Sequence, residues 1–476
     1  MATVTERLQA ALERQAPAWG ITPVPPEHRR LSGFDFAVLW GDLSIGLLVL
    51  LTGALLVPAL GLGRALLAIA VGSVVGSAVL ALVGLAGARE GVPGMVLFRP
   101  VLGVRGSYAP SVLNIVQLIG WTGFEFWAMA SVADAMSRRL FHHSSYWLWL
   151  IAVAIVCAAL ALGGPILVVR KWLERFGAWV VAGVAVWITV RLLATSDLGA
   201  IWRQPGQGGF PSNFWLAVDL VIAMPVSWLP LVADYNRFAR RGRSSSAGTF
   251  LGYAVGNAWF YALGALLVLG AGLSDTTPAG LGTAIASLAG GWVVLLALLV
   301  GETDEAFADV YSAAVSSQNL RERVSQRGAV LAVAGAGALL AVWLGLRPSV
   351  AVGNYESFLF LLGSVFVPLF GVFVADYFVF TGGRDEGRAT SSALGALVAW
   401  GAGFAVYQWS VPTGPAGWQS GVRTVLHGWL HLPFPLANSA AGASVPSFAA
   451  AFALYAAVSW WRGTLRRGKR GVASSP

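Results

Sequence analysis

The segment LWGDLSIGLL, residues 39–48, interrupts the first long apolar stretch of this chain with Gly41, Asp42, Ser44 and Gly46. Glycine lowers helix propensity, and a carboxylate inside an apolar stretch is energetically expensive. Backbone that departs from a helix at membrane depth survives only where protein buries it or where it lines a cavity. We therefore expect the first helix to be broken near its middle.

A second interruption lies in VIAMPVSWLPLVADY, residues 221–235, where Pro225 and Pro230 bracket Ser227 and Trp228. Proline removes a backbone donor and clashes with the preceding turn. An ordinary proline kink packed against neighbouring helices is the alternative for Pro225 alone. The two interruptions lie five apolar segments apart, in the first helix of each half, and this spacing favours an inverted-repeat transporter.

The composition indicates which solvent surrounds the fold. Of 476 residues, 57% are hydrophobic and 11% are charged, against roughly 25% charged in an ordinary soluble domain. The apolar residues cluster into runs of about 20, the length that crosses a hydrocarbon core. The 58 glycines and 21 tryptophans suit close helix packing and interfacial anchoring. The sequence therefore predicts an all-α polytopic membrane protein and argues against a soluble multi-domain enzyme.

The apolar runs predict twelve transmembrane helices. They lie near residues 34–58, 63–88, 106–136, 146–168, 173–194, 213–233, 248–272, 284–315, 328–345, 352–379, 390–410 and 444–461. The interruptions predict a five-plus-five inverted repeat, about 34–194 and 213–379, with helices 1 and 6 broken and two helices appended. The predicted organisation is an N-terminal tail over 1–31, a ten-helix core over 32–380, helices 11 and 12 over 381–463, and a basic tail over 464–476.

The net charge of +9 is distributed asymmetrically along the chain. With the N-terminus inside, the cytoplasmic segments hold 24 of the 31 Lys and Arg residues. This asymmetry follows the positive-inside rule, so the excess of basic residues indicates membrane topology rather than nucleic-acid binding. Residues 1–31 lack the apolar core of a cleavable signal peptide. We expect a multi-pass protein of a bacterial inner membrane, with both termini cytoplasmic and no obligate protein partner.

Carboxylates inside membrane spans mark a pathway or a site by default. The eighth span contains LVGETDEAFADVYSAAVSS, residues 299–317. Polar residues at three- and four-residue steps form one stripe along this predicted helix: Glu302, Glu305, Asp309, Ser312 and Ser316. Asp304 lies beside them. Several carboxylates on one dry face cannot all remain ionised without a cation, a proton or water.

Two further carboxylates accompany the interruptions, Asp42 beside the first and Asp219 before the second. For Asp219, a helix–helix hydrogen bond is an equal alternative to a functional role. For Glu302, whose neighbour Gly301 ends an apolar run, the alternative is a water-filled vestibule near the surface. Together the interruptions and the carboxylates indicate a polar site at mid-depth.

Trp121 and Glu125, within GWTGFEFW of the third span, are four residues apart and share a helix face. An indole offers a flat π surface, and a carboxylate offers two acceptor oxygens. Together they suit a planar heteroaromatic ligand that carries N–H donors. Trp228 at the second interruption is a candidate for the residue that contacts the opposite side of this ligand. For any one of 21 tryptophans, packing or interfacial anchoring is the default alternative.

Other function classes lack the residues they need. The only cysteine, Cys157, lies within the fourth span, so there is neither a disulfide framework nor a cysteine-based metal site. The chain has no H-E-x-x-H motif, and all five histidines lie outside the predicted spans. A channel would need a continuous polar pore, whereas the polar residues converge near the interruptions. We therefore predict a secondary transporter without a cofactor, and not an enzyme.

Five stretches resemble a known family: PVPPEHR (23–29), GAREGVPGMVLFRPVLGVRGS (87–107), GWTGFEFWAMA (120–130), SWLPLVADYNRFAR (227–240) and VPLFGVFVADYFV (367–379). Over nearly its full length the chain resembles the nucleobase–cation symporter-1 family, of the purine-cytosine permease type. DLVIAMPVSWLPLVADYNRF (219–238) and FADVYSAAVS (307–316) look most like its hydroxymethylpyrimidine permease branch, which is close to the cytosine permeases.

The resemblance implies a LeuT-type fold that carries a planar nitrogen heterocycle by alternating access. Family members stack the ring between an aromatic residue of span 3 and a residue of span 6. Here these would be Trp121 and the segment that contains Pro225, Ser227 and Trp228. A polar residue of the family one turn after the span 3 tryptophan falls on Glu125. Among the span 8 carboxylates, Asp309 is the next candidate for a ligand contact.

The resemblance also implies a cation site. The family uses backbone carbonyls at the span 1 break, here Gly41 with its neighbours Asp42 to Ile45, plus side chains of span 8. Where sodium-coupled relatives commonly carry adjacent threonines, this chain has Asp304 and Glu305. Carboxylates can ligate sodium, but they can also carry a proton. The proton is the favoured coupling ion, and sodium is the alternative.

The predicted function is a cation-coupled importer of a pyrimidine. The substrate would be hydroxymethylpyrimidine, the aminopyrimidine half of thiamine, or cytosine. The alternative within the family is a purine, allantoin or hydantoin permease. The expected partners are a small heterocyclic substrate, a co-transported sodium ion or proton, and the lipid bilayer, without nucleic acid.

Overall fold

The computed structural model describes residues 19–163, 178–209, 211, 213–381, 393–433 and 442–472. Of residues 163, 178 and 462–472 only the backbone is described. Most of the predicted N-terminal tail, the start of the predicted fifth span, the connection after the tenth span and residues 473–476 lie outside the described residues.

The described residues are mainly helical, and their β-structure is limited to one bridge between Leu31 and Ala239. The helices are α1 Gly33–Asp42, α2 Leu47–Leu55, α3 Leu62–Glu90, α4 Gly94–Leu97, α5 Arg99–Gly106, α6 Tyr108–Phe141, α7 Tyr146–Gly163, α8 Ala178–Thr195, α9 Leu198–Arg203, α10 Phe214–Ser227, α11 Val232–Asn236, α12 Gly242–Ala271, α13 Pro278–Ser287, α14 Gly291–Leu320, α15 Gln326–Leu346, α16 Pro348–Val374, α17 Ala393–Ser410, α18 Ala416–Arg423 and α19 Ser444–Val472. Helices α16 and α18 continue as π-helical turns over Ala375–Thr381 and Thr424–Trp429.

Four of the described helices are long and apolar enough to cross a membrane, namely α3, α12, α15 and α16. The pair α1 and α2, bent by 60° at its break, meets the same test jointly. Helices α6 and α14 reach 34 and 30 residues, but they also carry the carboxylates noted in the sequence. Length and composition thus indicate a membrane protein, and the count of twelve helices stays a prediction.

The first interruption has a local cause in the segment 39–48. Helix α1 ends at Asp42, and α2 begins at Leu47. Between them Gly46 is extended, with φ −145° and ψ 172°. The Ser44 hydroxyl donates to the Gly41 carbonyl at 2.7 Å. A serine that bonds to nearby backbone offers the chain an alternative to helix, so this sequence terminates α1.

The second interruption follows the prolines. Helix α10 ends at Ser227 with Pro225 in its last turn, and α11 begins at Val232. Residues 228–231 form the turn between them, and this turn includes Pro230. Because proline has no N–H group, neither Pro225 nor Pro230 can donate the hydrogen bond that would continue a helix.

The eighth predicted span begins later than residue 284. A separate helix, α13, ends at Ser287, and α14 begins at Gly291. Immediately before α14, Gly290 has a left-handed conformation with φ 80°. Glycine adopts this conformation without steric penalty, so it permits the turn. The hydrophobic run alone did not reveal this boundary.

The last helix ends later than predicted. Helix α19 continues to Val472, beyond the predicted end of span 12 at residue 461 and into the predicted basic tail. Arginine, lysine and leucine all have high helix propensity. Because residues 447–472 contain no proline, the helix continues after its apolar part has ended.

The described helices pack mainly within three sets, of which the third is α16, α17 and α19. The first set is α1, α2, α3, α10, α11 and α12, and the second is α6, α7, α13, α14 and α15. In the first set, glycines four residues apart on α12 let it approach α1 closely. A Cβ atom on Gly248, Gly252 or Gly256 would collide with the α1 backbone or with the segment that follows it. Such spacing of small residues allows close helix contact in membranes.

Candidate functional site

One face of α6 contacts both α14 and the second interruption. Gln117 Nε2 donates to the Ser227 carbonyl at 2.9 Å, at the end of α10. Asn114 Nδ2 donates to Ser316 Oγ of α14 at 2.8 Å. Because Trp121 lies one turn after Gln117, this face brings the predicted stacking residue towards the interruption. Gln117 was not among the predicted site residues, although an amide one turn from Trp121 in an apolar span was a usable signal.

Trp121 is buried, and α16 holds its ring edge-on. The ring centroid lies 6.1 Å from that of Tyr355 and 5.3 Å from that of Phe358, both in T-shaped contacts. Tyr355 in turn donates to the Leu48 carbonyl of α2 at 3.0 Å and lies 2.7 Å from Thr52 Oγ1. These contacts orient the indole relative to α2. Tyr355 and Phe358 were missed because no local pattern links them to Trp121.

The second interruption places Ser227 and Trp228 just after Pro225. The Ser227 hydroxyl donates to the Met224 carbonyl at 2.6 Å, so it is engaged within its own turn. Trp228 is buried and lies edge-on to Trp40, with the ring centroids 5.7 Å apart. Trp228 therefore has a packing partner, and its contact with the opposite side of a ligand stays a prediction.

Glu125 and Asp309 bring two buried carboxyl groups within hydrogen-bonding reach of each other. A hydrogen bond between two carboxyl groups requires a proton on one of them. Glu125 Oε2 has no hydrogen-bond partner among the described residues. The pair therefore keeps acceptor capacity for a ligand that carries N–H donors.

The predicted coupling residues meet where α1 ends. Asp42 and Asp304 are buried neighbours, and Asp42 Oδ1 and both Asp304 carboxylate oxygens lack a partner in the described ranges. The Gly41 carbonyl accepts from Ser44 Oγ at 2.7 Å, and the Asp42 carbonyl accepts from the Ile45 N–H at 2.9 Å. Each carbonyl retains a second lone pair, so these oxygens can still face a cation.

Glu302 and Glu305 lie against the start of α2. Glu302 Oε2 accepts from the Leu47 N–H at 2.6 Å. A Cβ atom on Gly46 would lie 2.9 Å from Glu302 Oε2 and still closer to Glu305 Oε1. Glu302 is only 1% exposed, which contradicts the alternative of a water-filled vestibule near the surface. The predicted polar stripe of span 8 thus reaches the first interruption.

Asp219 has a structural partner. Its carboxylate accepts from the Ala443 N–H at 2.6 Å and from the Ser444 N–H at 3.1 Å, at the start of α19. The first N–H groups of a helix lack partners within it, and a carboxylate there is favoured by the helix dipole. Asp219 therefore fastens α19 to α10, in agreement with the alternative of a helix–helix hydrogen bond.

The buried carboxylates of the site lack basic partners. Over the described ranges, none of them takes part in a salt bridge. No group of three or more His, Cys, Asp or Glu residues in those ranges is arranged to hold a metal ion. Negative charge at this depth must therefore be relieved by protons, by water, or by a cation that also uses backbone carbonyls.

Comparison with known proteins identifies the family. The family described as "permease for cytosine/purines, uracil, thiamine, allantoin" matches residues 23–400. The chain belongs to this permease family. The cytosine permease of Escherichia coli strain K12 is 25% identical to this permease over 395 residues, which cover 81% of this chain and 88% of that protein. The protein is thus a transporter and not an enzyme, and the resemblance seen in the sequence is confirmed at the level of the family.

Solved structures show the fold of the permease. Mhp1, a nucleobase-cation-symport-1 family transporter in a closed conformation with bromovinylhydantoin bound, matches with a TM-score of 0.73 at 18% identity, over 93% of this chain and 95% of that one. A Na⁺-coupled sialic acid symporter in a substrate-bound outward-open state matches with a TM-score of 0.65 at 14% identity, over 96% of both chains. The permease therefore shares the all-helical, LeuT-type fold of these transporters.

Proposed function

We propose that this permease is a symporter that couples the import of an aminopyrimidine to a cation, with hydroxymethylpyrimidine or cytosine as substrate. The observation that carries the proposal is the buried pair of carboxyl groups of Glu125 and Asp309. Glu125 lies one helical turn after Trp121, whose indole is held in a fixed orientation. We also propose alternating access by twelve helices in a five-plus-five inverted repeat, with the first and sixth broken, and the likeness to the fold of Mhp1 supports this proposal.

The chemistry of the pair favours an amino-substituted ring. An exocyclic amino group carries two N–H donors, so it can donate to Glu125 and Asp309 at once. Uracil and hydantoin have no exocyclic amino group, and each of their ring N–H groups has at least one neighbouring carbonyl, whose oxygen would approach the carboxylate oxygens with like partial charge. Unpaired acceptors in a buried site discriminate strongly between ligands. The pair therefore favours the aminopyrimidines over uracil and hydantoin, whereas aminopurines and the ureido group of allantoin also offer two N–H donors.

The cation would bind where α1 ends. Asp42 and Asp304 supply unpartnered carboxylate oxygens there, and the break itself contributes the carbonyls from Gly41 to Ile45. Glu305 lies one residue further, against the start of α2. We propose the proton as the coupling ion because carboxyl groups without basic partners can hold one. Sodium is the competing ion, and the same oxygens are suitable ligands for it.

A ligand panel tests the proposal. The purified permease would be heated with hydroxymethylpyrimidine, cytosine, uracil, a purine, allantoin and a hydantoin, each with and without sodium. A ligand that binds the folded state raises the melting temperature by mass action. We expect the aminopyrimidines to give the largest shifts. A shift confined to allantoin or a hydantoin would replace the proposed substrate class.

The Glu125→Gln substitution tests the proposed contact to the amino group. Glutamine keeps the size of the side chain but exchanges one acceptor oxygen for a donor. Affinity for the aminopyrimidine should fall by ~1.5–3 kcal/mol, the range for a hydrogen bond to a charged group. Isothermal titration measures this loss, and Glu322→Gln on the exposed surface is the matched control. Unchanged affinity in Glu125→Gln would show that the ligand does not contact this carboxyl group.

A further inference from the structure

The start of α2 has no side-chain cap from its own segment. The residue before Leu47 is Gly46, which has no side chain to cap the helix. Leu47 and Gly46 are both buried. The first N–H groups of a helix have no partner within the helix, and leaving them unpaired away from water is unfavourable. A break at this position therefore requires an acceptor from elsewhere in the chain.

Glu302 of α14 supplies that acceptor. Its Oε2 accepts from the Leu47 N–H at 2.6 Å across 255 residues of sequence, and the Leu48 N–H also interacts with the carboxylate. The missing side chain at Gly46 leaves room for this approach, since a Cβ atom there would lie 2.9 Å from Glu302 Oε2. A carboxylate at this end of a helix is also favoured by the helix dipole.

This contact joins the first two sets of helices. Helix α2 packs within the first set, whereas α14 belongs to the second. Glu302 thus holds the second half of the broken first helix against the helix that carries Asp304. In a transporter whose sets move relative to each other, such a bond fixes the geometry of the site in the conformation where it forms.

We propose that Glu302 is a positioning residue, which caps α2 and thereby sets the distance between Asp304 and the carbonyls that follow Gly41. The cap itself is independent of the transported ligand, whereas its consequence for uptake rests on the proposed function. In this role Glu302 works as a hydrogen-bond acceptor, so its charge is dispensable. A role as ion ligand or proton carrier would require the charge.

Amide hydrogen exchange tests the cap without any substrate. In the full-length protein in nanodiscs, Glu302→Ala should speed exchange of the Leu47 and Leu48 amides by about tenfold or more, because their acceptor is lost. Glu302→Gln should stay within about threefold of wild type, since its amide oxygen accepts the same bond. Asp304→Asn is the matched control and should leave these amides unchanged. Wild-type exchange in Glu302→Ala, or fast exchange in Glu302→Gln, would overturn the proposal.

Uptake tests the consequence. Glu302→Gln should retain cation-driven uptake, and Glu302→Ala should lose about tenfold or more. Loss of uptake in Glu302→Gln with slow amide exchange would mean that transport needs the charge, and the positioning role would be wrong. If no heterocycle of the panel binds wild type, the proposed function fails, while the exchange data still decide whether Glu302 caps α2.

Removing the donor is the reciprocal experiment. Proline is favoured at the first position of a helix, and the extended Gly46 is compatible with a following proline. Leu47→Pro deletes the N–H that Glu302 accepts, whereas Leu47→Ala truncates the side chain and keeps the donor. A double-mutant cycle between Leu47→Pro and Glu302→Ala should show smaller than additive losses of thermal stability. Additive losses would contradict the bond.

Discussion

Replacing Trp121 with alanine is expected to abolish detectable binding of the aminopyrimidine, whereas Trp121→Phe should retain part of it. The T-shaped contacts with Tyr355 and Phe358 hold the indole in a fixed orientation. Stacking of a base on an aromatic side chain contributes ~1–3 kcal/mol. Alanine removes the aromatic surface entirely, and phenylalanine preserves a smaller one.

Thermal shift and isothermal titration would measure the effect of both Trp121 substitutions. Trp292→Ala on the surface of α14 is the matched control for loss of a tryptophan, because its side chain is exposed. Wild-type affinity in Trp121→Ala would show that this indole only packs against α16. The assignment of the stacking site to span 3 would then be wrong.

Substitution of the coupling carboxylates is expected to separate substrate movement from the ion gradient. Asp304→Asn or Glu305→Gln should prevent uptake driven by an inward proton gradient while leaving exchange of substrate across the membrane at least partly intact. The reason is that Asp304 has no partner among the described residues and lies beside Asp42. A neutral amide cannot bind and release a proton there.

Proteoliposomes without sodium provide the measurement. Under the proton account, uptake follows the proton gradient and collapses when a protonophore is added. Under the sodium account, sodium strengthens substrate binding and substrate strengthens sodium binding by the same factor, because linkage is reciprocal. Observing that mutual effect, with no uptake in the absence of sodium, would assign the coupling to sodium.

Local sequence chemistry was sufficient for the two interruptions. Gly41, Ser44 and Gly46 shape the first, and Pro225 and Pro230 shape the second, because each acts on its own turn of backbone. Helical periodicity likewise placed Trp121 and Glu125 on one face, together with the missed Gln117. Such features depend on spacings of a few residues, which a single sequence displays directly.

Partners that are distant in sequence could not be predicted in this way. The bond from Leu47 to Glu302 spans 255 residues, and that from Ala443 to Asp219 spans 224. Periodicity indicates which face of a helix is polar, but not which helix end that face contacts. Glu302 and Asp219 were therefore recognised as unusual buried carboxylates, while their capping of α2 and α19 became visible only in the structure.

The helix boundaries likewise include features that local sequence patterns do not predict. The start of α14 depends on the left-handed backbone of Gly290, and hydrophobicity alone does not distinguish a glycine in a turn from one in a helix. The end of α19 at Val472 depends on helix propensity beyond the apolar run. Hydropathy locates an apolar run well, but it does not locate the ends of the helix that contains it.

Uptake of a labelled aminopyrimidine into proteoliposomes that contain only this permease distinguishes cation-driven symport from passive passage. We expect saturable accumulation above the external concentration when an inward cation gradient is imposed, and loss of this accumulation when that gradient is dissipated. Passive equilibration that never exceeds the external concentration, or no uptake of hydroxymethylpyrimidine or cytosine under either a proton or a sodium gradient, would contradict the proposed function.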